Sequence, residues 1–347
     1  MNPFSPASLS PLPKTLLPCG LPYQLTWDDL RPILPGYDER ESARAQAFAS
    51  HDKQGLNGGS NSCILTLRYP TGENQLSSET IFIKHIADPE KAEAQKYQFI
   101  ASRGVPTPRL LDTIHKDSAE IILLEFLPTI GIDFHSMNEV RNLLHVLAQL
   151  NSIQNPPDFF NPKPGGFPDL EFDEFIRSAL IEVSHDGTLP FRIDIPRWLD
   201  AYHVAQRACD SMPSAVNHNE FFFQQVGWAQ RDNTRQFVIF DLETMSLAPR
   251  FTDMAEILYP LSRYTGRDQL ELFKIYFVKM CELNQLELGI DLAFHELRLV
   301  NIQGTFWSLP WIVDIARNSN VSEILGTTPA MAVTSLYHDL IALQLLE

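Results

Sequence analysis

Alternating apolar and polar positions mark the first third of the chain, and a helical repeat marks most of the rest. Cys63-Ile-Leu-Thr-Leu-Arg-Tyr after a Gly-rich turn, and Thr80-Ile-Phe-Ile-Lys-His-Ile after a polar loop, predict two antiparallel strands between residues 54 and 86. Asp88-Pro89 then predicts a helix start, with Asp88 as N-cap and Pro89 at the first helical position, running through Phe99 and Ile100 to a stop at Gly104. Val105-Pro-Thr-Pro returns the chain to an extended form, and Glu120 to Leu127 reads as a buried strand ending at Pro128. Residues 138–151 carry a helical period. Beyond them helical patterns dominate, broken by a Pro/Gly/Phe-rich loop at 155–169 and one short strand at 236–241. Upstream, eight of the 25 prolines fall within the first 36 residues, which predicts an extended arm with one short helix near 26–33, packed as a tail on the domain. The expected organisation is α+β and two-lobed. Residues 1–127 form a small antiparallel-sheet lobe with one helix, its first 50 residues a Pro-rich extension, and residues 128–347 form a larger, mainly helical lobe.

Charge and composition narrow the classes. The 347 residues carry 43 acidic and 27 basic side chains, a formal charge of −16. That balance repels a phosphate backbone and argues against nucleic acid as a partner, while it suits a cationic small substrate as well as it suits plain solubility. The hydrophobic share of 44% is that of a globular protein with a real core. Cys19, Cys63, Cys209 and Cys281 stand far apart without a Cys-x-x-Cys pair, against a zinc ribbon or disulfide framework and in favour of a reducing, cytoplasmic compartment. No apolar run approaches the roughly 18 residues of a membrane span, and the first 22 residues lack the continuous apolar stretch of a signal peptide, so no membrane partner is expected.

Three clusters have the residue types for chemistry. Gly58-Gly59-Ser60-Asn61 precedes a strand; such glycines let backbone N–H groups approach a phosphate, and they also make an ordinary hairpin turn. Lys84 alternates onto the face of Phe82 and Ile86, where an ammonium needs a partner. Glu93 shares a helical stripe with Tyr97 and Ile100, which turns its carboxylate inward. A Lys84–Glu93 pair could hold the lysine against nucleotide phosphates; the other reading is a lysine snorkelling at a strand edge. The third cluster is Asn217-His-Asn-Glu-Phe-Phe-Phe-Gln-Gln, followed by Asp241-Leu-Glu243 at the end of a strand. An acid and an amide five residues apart, then an acidic pair, match the needs of magnesium-dependent phosphoryl transfer. One carboxylate orients or deprotonates a hydroxyl, while an amide oxygen and a second carboxylate hold Mg²⁺ against the phosphates. The competing reading is a loop whose phenylalanines enter the core and whose polar residues cap turns.

In this order and spacing, from about Gln54 to Leu258, the clusters resemble the aminoglycoside phosphotransferase family, part of the protein-kinase-like fold that also includes choline and fructosamine kinases. The resemblance implies ATP and Mg²⁺ as cofactors and transfer of the γ-phosphoryl group to a hydroxyl of a small molecule. It implies a Gly58-Gly59-Ser60 hairpin over ATP, Lys84 and Glu93 as the phosphate-binding pair, and a hinge from Glu125 to Leu127 whose backbone meets the adenine. Gly-Val-Pro-Thr-Pro-Arg at 104–109, Pro249 and Asp253-Met-Ala match further family stretches, the last with a structural aspartate. The family's catalytic loop reads His-Gly-Asp, four residues, Asn, and its metal strand reads Asp-Trp-Glu. The corresponding residues are His218 and Glu220 in the catalytic loop, with Gln225, Asp241 and Glu243 on the metal.

Two of these positions depart from the pattern in the same sense: Glu220 stands for the aspartate and Gln225 for the asparagine. Each keeps its functional group and adds one methylene, a displacement of about a bond length, and misplacement by about 1 Å can cost on the order of a hundredfold in rate. A non-catalytic binding protein on the same fold is the rival reading.

Overall fold

The structure, a computed structural model, describes residues 7–8, 15–17, 21–54, 60–71, 75–116, 118–161, 169–185, 187, 189–232, 234–284, 287–318 and 328–346. In chain order the strands are β1 (Ala7–Ser8), β2 (Thr15–Leu16), β3 (Gln46–Gln54), β4 (Ser60–Pro70), β5 (Leu76–Ile86), β6 (Leu110–Lys116), β7 (Ala119–Glu125), β8 (Thr129–Ile130), β9 (Ser214–Asn217), β10 (Val226–Arg231), β11 (Thr234–Ile239) and β12 (Ser246–Pro249). The helices are α1 (Trp27–Leu30), α2 (Glu93–Ser102), α3 (Met137–Asn151), α4 (Asp169–Ser184), α5 (Ile195–Asp210), α6 (Thr252–Thr265), α7 (Gln269–Asn284), α8 (Ile290–Asn318) and α9 (Pro329–Ala342). The chain divides into two compact units. The sheet unit is Pro6–Ile132 with Gln224–Glu243, and the helical unit contains Asp133–Phe223 and Thr244–Glu347.

In the sheet unit, β2-β3-β4-β5-β7-β6 form an antiparallel sheet in that order. The period of two assigns its faces. Cys63, Leu65, Leu67, Ile81, Ile83, Ile121 and Leu123 share one buried face. Lys84 stands on the other, in register with Ser62 on one side and Ile122 on the other. The first face is covered from upstream: Leu25, Leu30 and Leu34 are buried in the same core. The residues expected to form an extended arm packed on the domain thus include part of the sheet's hydrophobic cover, and the short helix is there because Thr26 and Asp29 form a reciprocal capping box.

The other expected helix begins later than Asp88-Pro89 suggests. Asp88 does accept the Glu90 amide, but the turn it starts is a 3₁₀ turn, Pro89–Lys91, ended by Ala92 at φ +52°. The α-helix starts at Glu93. A cap satisfies only local amides; the left-handed residue behind it resets the helix axis.

A second sheet in this unit runs β1-β8-β10-β11. The hairpin β10–β11 comes from late in the chain, where a single strand and a helical lobe were expected, yet it pairs with Thr129 and Ile130 and belongs to the sheet unit, which also extends past 127 to Ile132. Gly227 permits this pairing, since a Cβ there would lie 2.9 Å from the Thr129 carbonyl oxygen.

In the helical unit α8 packs against α4, α5, α6 and α9, and α3 packs against α7. Ser136, Asp194 and Thr328 cap the starts of α3, α5 and α9. The antiparallel pair β9–β12 flanks the loop that carries His218 and Glu220.

Candidate functional site

Lys84, Glu93, Gln225, Asp241 and Glu243 belong to the sheet unit and come together there. The Lys84 ammonium lies 2.8 Å from Glu93, 2.6 Å from Asp241 and 3.0 Å from Glu243. Lys84 and Glu93 are almost wholly buried, whereas the Asp241 side chain is 41% exposed. Burial pulls the Lys84 ammonium down, but the three carboxylates outweigh it and hold its pKa well above the ordinary lysine value. Burial likewise pushes Glu93 up against the opposing pull of Lys84.

Helix α2 also fixes the backbone that presents Asp241. Its Glu93 accepts the Leu242 amide at 3.2 Å, and one turn on, the Tyr97 hydroxyl accepts the Asp241 amide at 3.0 Å. Asp241 itself sits at φ +67°, a region a non-glycine residue holds only when its surroundings impose it. The same helical stripe that turns Glu93 inward therefore secures both the lysine and the strand end. Gln225 donates its amide to the second Asp241 oxygen at 3.3 Å.

Two lysines that pattern reading passed over complete the cluster. Lys91 lies 3.1 Å from Glu243, and Lys96, itself buried, donates to the Glu243 carbonyl at 2.7 Å. Lys96 stands one turn from Glu93 on a helix of polar composition; its inward face was the available signal. The consequence for Glu243, expected on the metal, is that its two oxygens face Lys84 and Lys91.

The remaining sheet-unit residues are placed as follows. Gly58 and Gly59 lie outside the described residues, and Ser60 opens β4. Glu125 turns its carboxylate to Arg231, at 2.5 Å, and its own amide donates to the Arg109 carbonyl at 2.9 Å, so that amide is already engaged. Leu127 packs with Ala229 and Val238.

His218 and Glu220 lie in the helical unit, on a loop pinned from below by a buried carboxylate. Asp253 accepts the His218 amide at 2.8 Å, the Asn219 amide at 3.1 Å and the Asn151 side-chain amide at 3.0 Å. Three residues on along α6, Glu256 accepts the Phe221 amide at 2.9 Å. Asn219, at φ +66°, is held through Ser246 at 2.7 Å. Phe221 and Phe223 are buried, the latter against Phe134 with centroids 4.8 Å apart. The phenylalanines thus enter the core, as one reading of the sequence allowed, and the loop still leaves Glu220 exposed. His218 is fully buried with its ring against Phe221, a place that supports the loop. Burial raises the Asp253 carboxyl above the ordinary range, against His218 and the hydrogen bonds it receives.

Among the described residues no group of three His, Cys, Asp or Glu side chains is arranged to hold a metal ion. Mg²⁺ does not demand such a cage: it takes one or two carboxylates, keeps several waters and binds phosphate oxygens. A half-exposed Asp241 with the Gln225 amide beside it fits that habit.

Comparison with known proteins gives the family and the fold. The model of the phosphotransferase enzyme family matches residues 84–279, more than half of the chain and the whole stretch from the lysine strand to α7. The chain belongs to this family of small-molecule kinases. Among solved structures, a Plasmodium vivax ethanolamine kinase is similar at 11% identity, with 87% of this chain and 83% of that one covered and a TM-score of 0.53. A choline kinase from Cryptosporidium parvum is similar at 13% identity, covering 91% and 96%, with a TM-score of 0.51. LicA in complex with AMP is similar at 12% identity, covering 90% and 96%, also at 0.51. These likenesses show the expected protein-kinase-like fold. No curated protein matches the sequence.

Proposed function

We propose that the protein transfers the γ-phosphoryl group of ATP to a hydroxyl of a small molecule, with Mg²⁺ as the accompanying ion. The observation that carries this reading is the Lys84 ammonium held between Glu93 and Asp241 inside the family match. Lys84 meets phosphate oxygens, and Glu93 and Tyr97 keep the lysine and Asp241 from shifting. Asp241 and Gln225 hold Mg²⁺, which when bound neutralises developing charge on the phosphate oxygens. Glu243 stays with Lys84 and Lys91 as an electrostatic partner. In the step itself the acceptor oxygen forms a bond to the γ-phosphorus, the bond to the bridging oxygen breaks, ADP leaves, and the hydroxyl proton passes to Glu220. Phosphoryl transfer depends chiefly on positioning and electrostatics, and the rigid anchoring of the 217–221 loop supports a working base despite the longer side chain.

A thermal-shift titration with ATP, with and without Mg²⁺, tests the nucleotide site, since a ligand at 100 times its Kd adds about 2.7 kcal/mol to stability. A magnesium-dependent shift in the wild type that disappears in Asp241→Ala is expected; no shift in either sinks the reading. Release of ADP across a panel of amino alcohols, sugars and aminoglycosides then tests transfer. The Glu243 carboxylate facing two lysines favours a second reading, nucleotide binding without transfer, and a saturating shift with no ADP release from any acceptor would select it.

A further inference from the structure

Helices α4 and α5 pack side by side in the helical unit, and Phe172, Asp173, Tyr202, His203 and Gln206 line a cavity of about 140 Å³ there. A void of that order accommodates a molecule of roughly benzene size. Its lining is of two kinds. Phe172 and Tyr202 supply rings with centroids 6.2 Å apart, and Trp307 stands 5.0 Å from Phe172. Asp173 supplies a carboxylate, one oxygen of which lies 3.1 Å from His203 Nε2. Among the described residues no lysine or arginine pairs with Asp173, and its other oxygen receives no hydrogen bond. The amide of Gln206 adds one more acceptor to the same wall.

Such a lining discriminates by charge. The Asp173 carboxylate repels an anion, and a purely apolar guest would leave it and Gln206 facing hydrocarbon. A cation satisfies both parts, pairing with the carboxylate while its body lies on the aromatic rings. We propose that this cavity is a binding site for a small primary ammonium, with its charge on Asp173 and its alkyl part against Phe172 and Tyr202. The site needs no nucleotide, so it stands or falls apart from the phosphotransferase reading.

Calorimetric titration of the nucleotide-free protein with n-propylammonium chloride, at constant ionic strength, is the test, with 1-propanol as the neutral match of equal size. Saturable binding of the ammonium is expected, at least tenfold tighter than the alcohol, and reduced at least tenfold in Asp173→Asn. Glu174→Gln, the exposed neighbour on the same helix, should bind as the wild type does, and Phe172→Leu should bind several-fold more weakly. Absence of ammonium binding, equal binding of ammonium and alcohol, or undiminished binding in Asp173→Asn overturns the proposal. The ammonium-to-alcohol ratio on the wild type decides the matter even if a variant fails to fold.

Discussion

Lys84 and Asp241 are 157 residues apart in sequence and 2.6 Å apart in space, and the side chains that fix this meeting both come from α2. Glu93 binds the lysine and the amide after the aspartate; Tyr97 binds the aspartate's own amide. A single turn of helix therefore sets the distance between the Lys84 ammonium and the Asp241 carboxylate.

Removing the cation should expose the energetics of that arrangement. Lys84→Met leaves Glu93 as a buried carboxylate without its main counter-charge, and breaking such a pair costs about 3–5 kcal/mol. Urea denaturation followed by tryptophan fluorescence should show a loss of this size. The double variant Lys84→Met/Glu93→Leu should recover much of it; simple additivity of the two single losses would contradict an isolated-charge penalty.

Tyr97→Phe removes only a hydroxyl, yet that hydroxyl is the acceptor for the Asp241 amide. An unsatisfied buried amide costs about 1–3 kcal/mol. The same change frees a residue at φ +67° to relax, so magnesium-dependent nucleotide affinity should fall by more than the stability loss alone would produce. Stability lost with nucleotide affinity intact would show that Tyr97 merely fills space.

The helical unit carries a titration at Asp253. That side chain is wholly buried, and burial holds its carboxyl above the ordinary value of 3.8. Folding therefore takes up a proton wherever the unfolded carboxyl is ionised, so this contribution is complete below about 3.8 and is lost as pH rises through the raised folded value. Asp253→Asn keeps an oxygen for the His218 amide and removes the titration, so the wild type's denaturation midpoint should fall more steeply with rising pH than the variant's. Equal slopes in the two proteins would disprove the assignment.

Gly227→Ala should damage the second sheet. The new methyl would meet the Thr129 carbonyl oxygen at 2.9 Å and Leu127 Cδ1 at 3.0 Å, so β8 and β10 must separate. A cost of about 1–3 kcal/mol is expected for such overpacking. Hydrogen exchange at the Gly131 amide, which bonds the Val226 carbonyl, should accelerate accordingly; unchanged exchange would mean the strands part without strain.

The legible part of this protein lay in its periodicities. Alternation along Thr80 to Ile86 put Lys84 on the inner face opposite Ile83, and the helical stripe put Glu93 beneath it; the contact followed. What stayed hidden was set by partners distant in sequence. The β10–β11 hairpin joins a strand of two residues, Thr129–Ile130, too short to carry any pattern. Lys96 is a buried charge on a helix whose composition suggests a solvated face, and only the position of Glu243 explains it. Leu25, Leu30 and Leu34 were masked by the prolines around them, which report an extended backbone and say nothing about burial.

The chain leaves the sheet unit after Ile132 and returns to it only at Gln224. No single cut can therefore release that unit whole: a fragment ending at Ile132 would lack Asp241 and Glu243 and would strand the Lys84 and Glu93 charges in its interior. Gene fusion or exchange cannot transplant this unit as a contiguous cassette, and a frameshift or stop anywhere between the two segments removes Asp241 and Glu243 together with everything downstream.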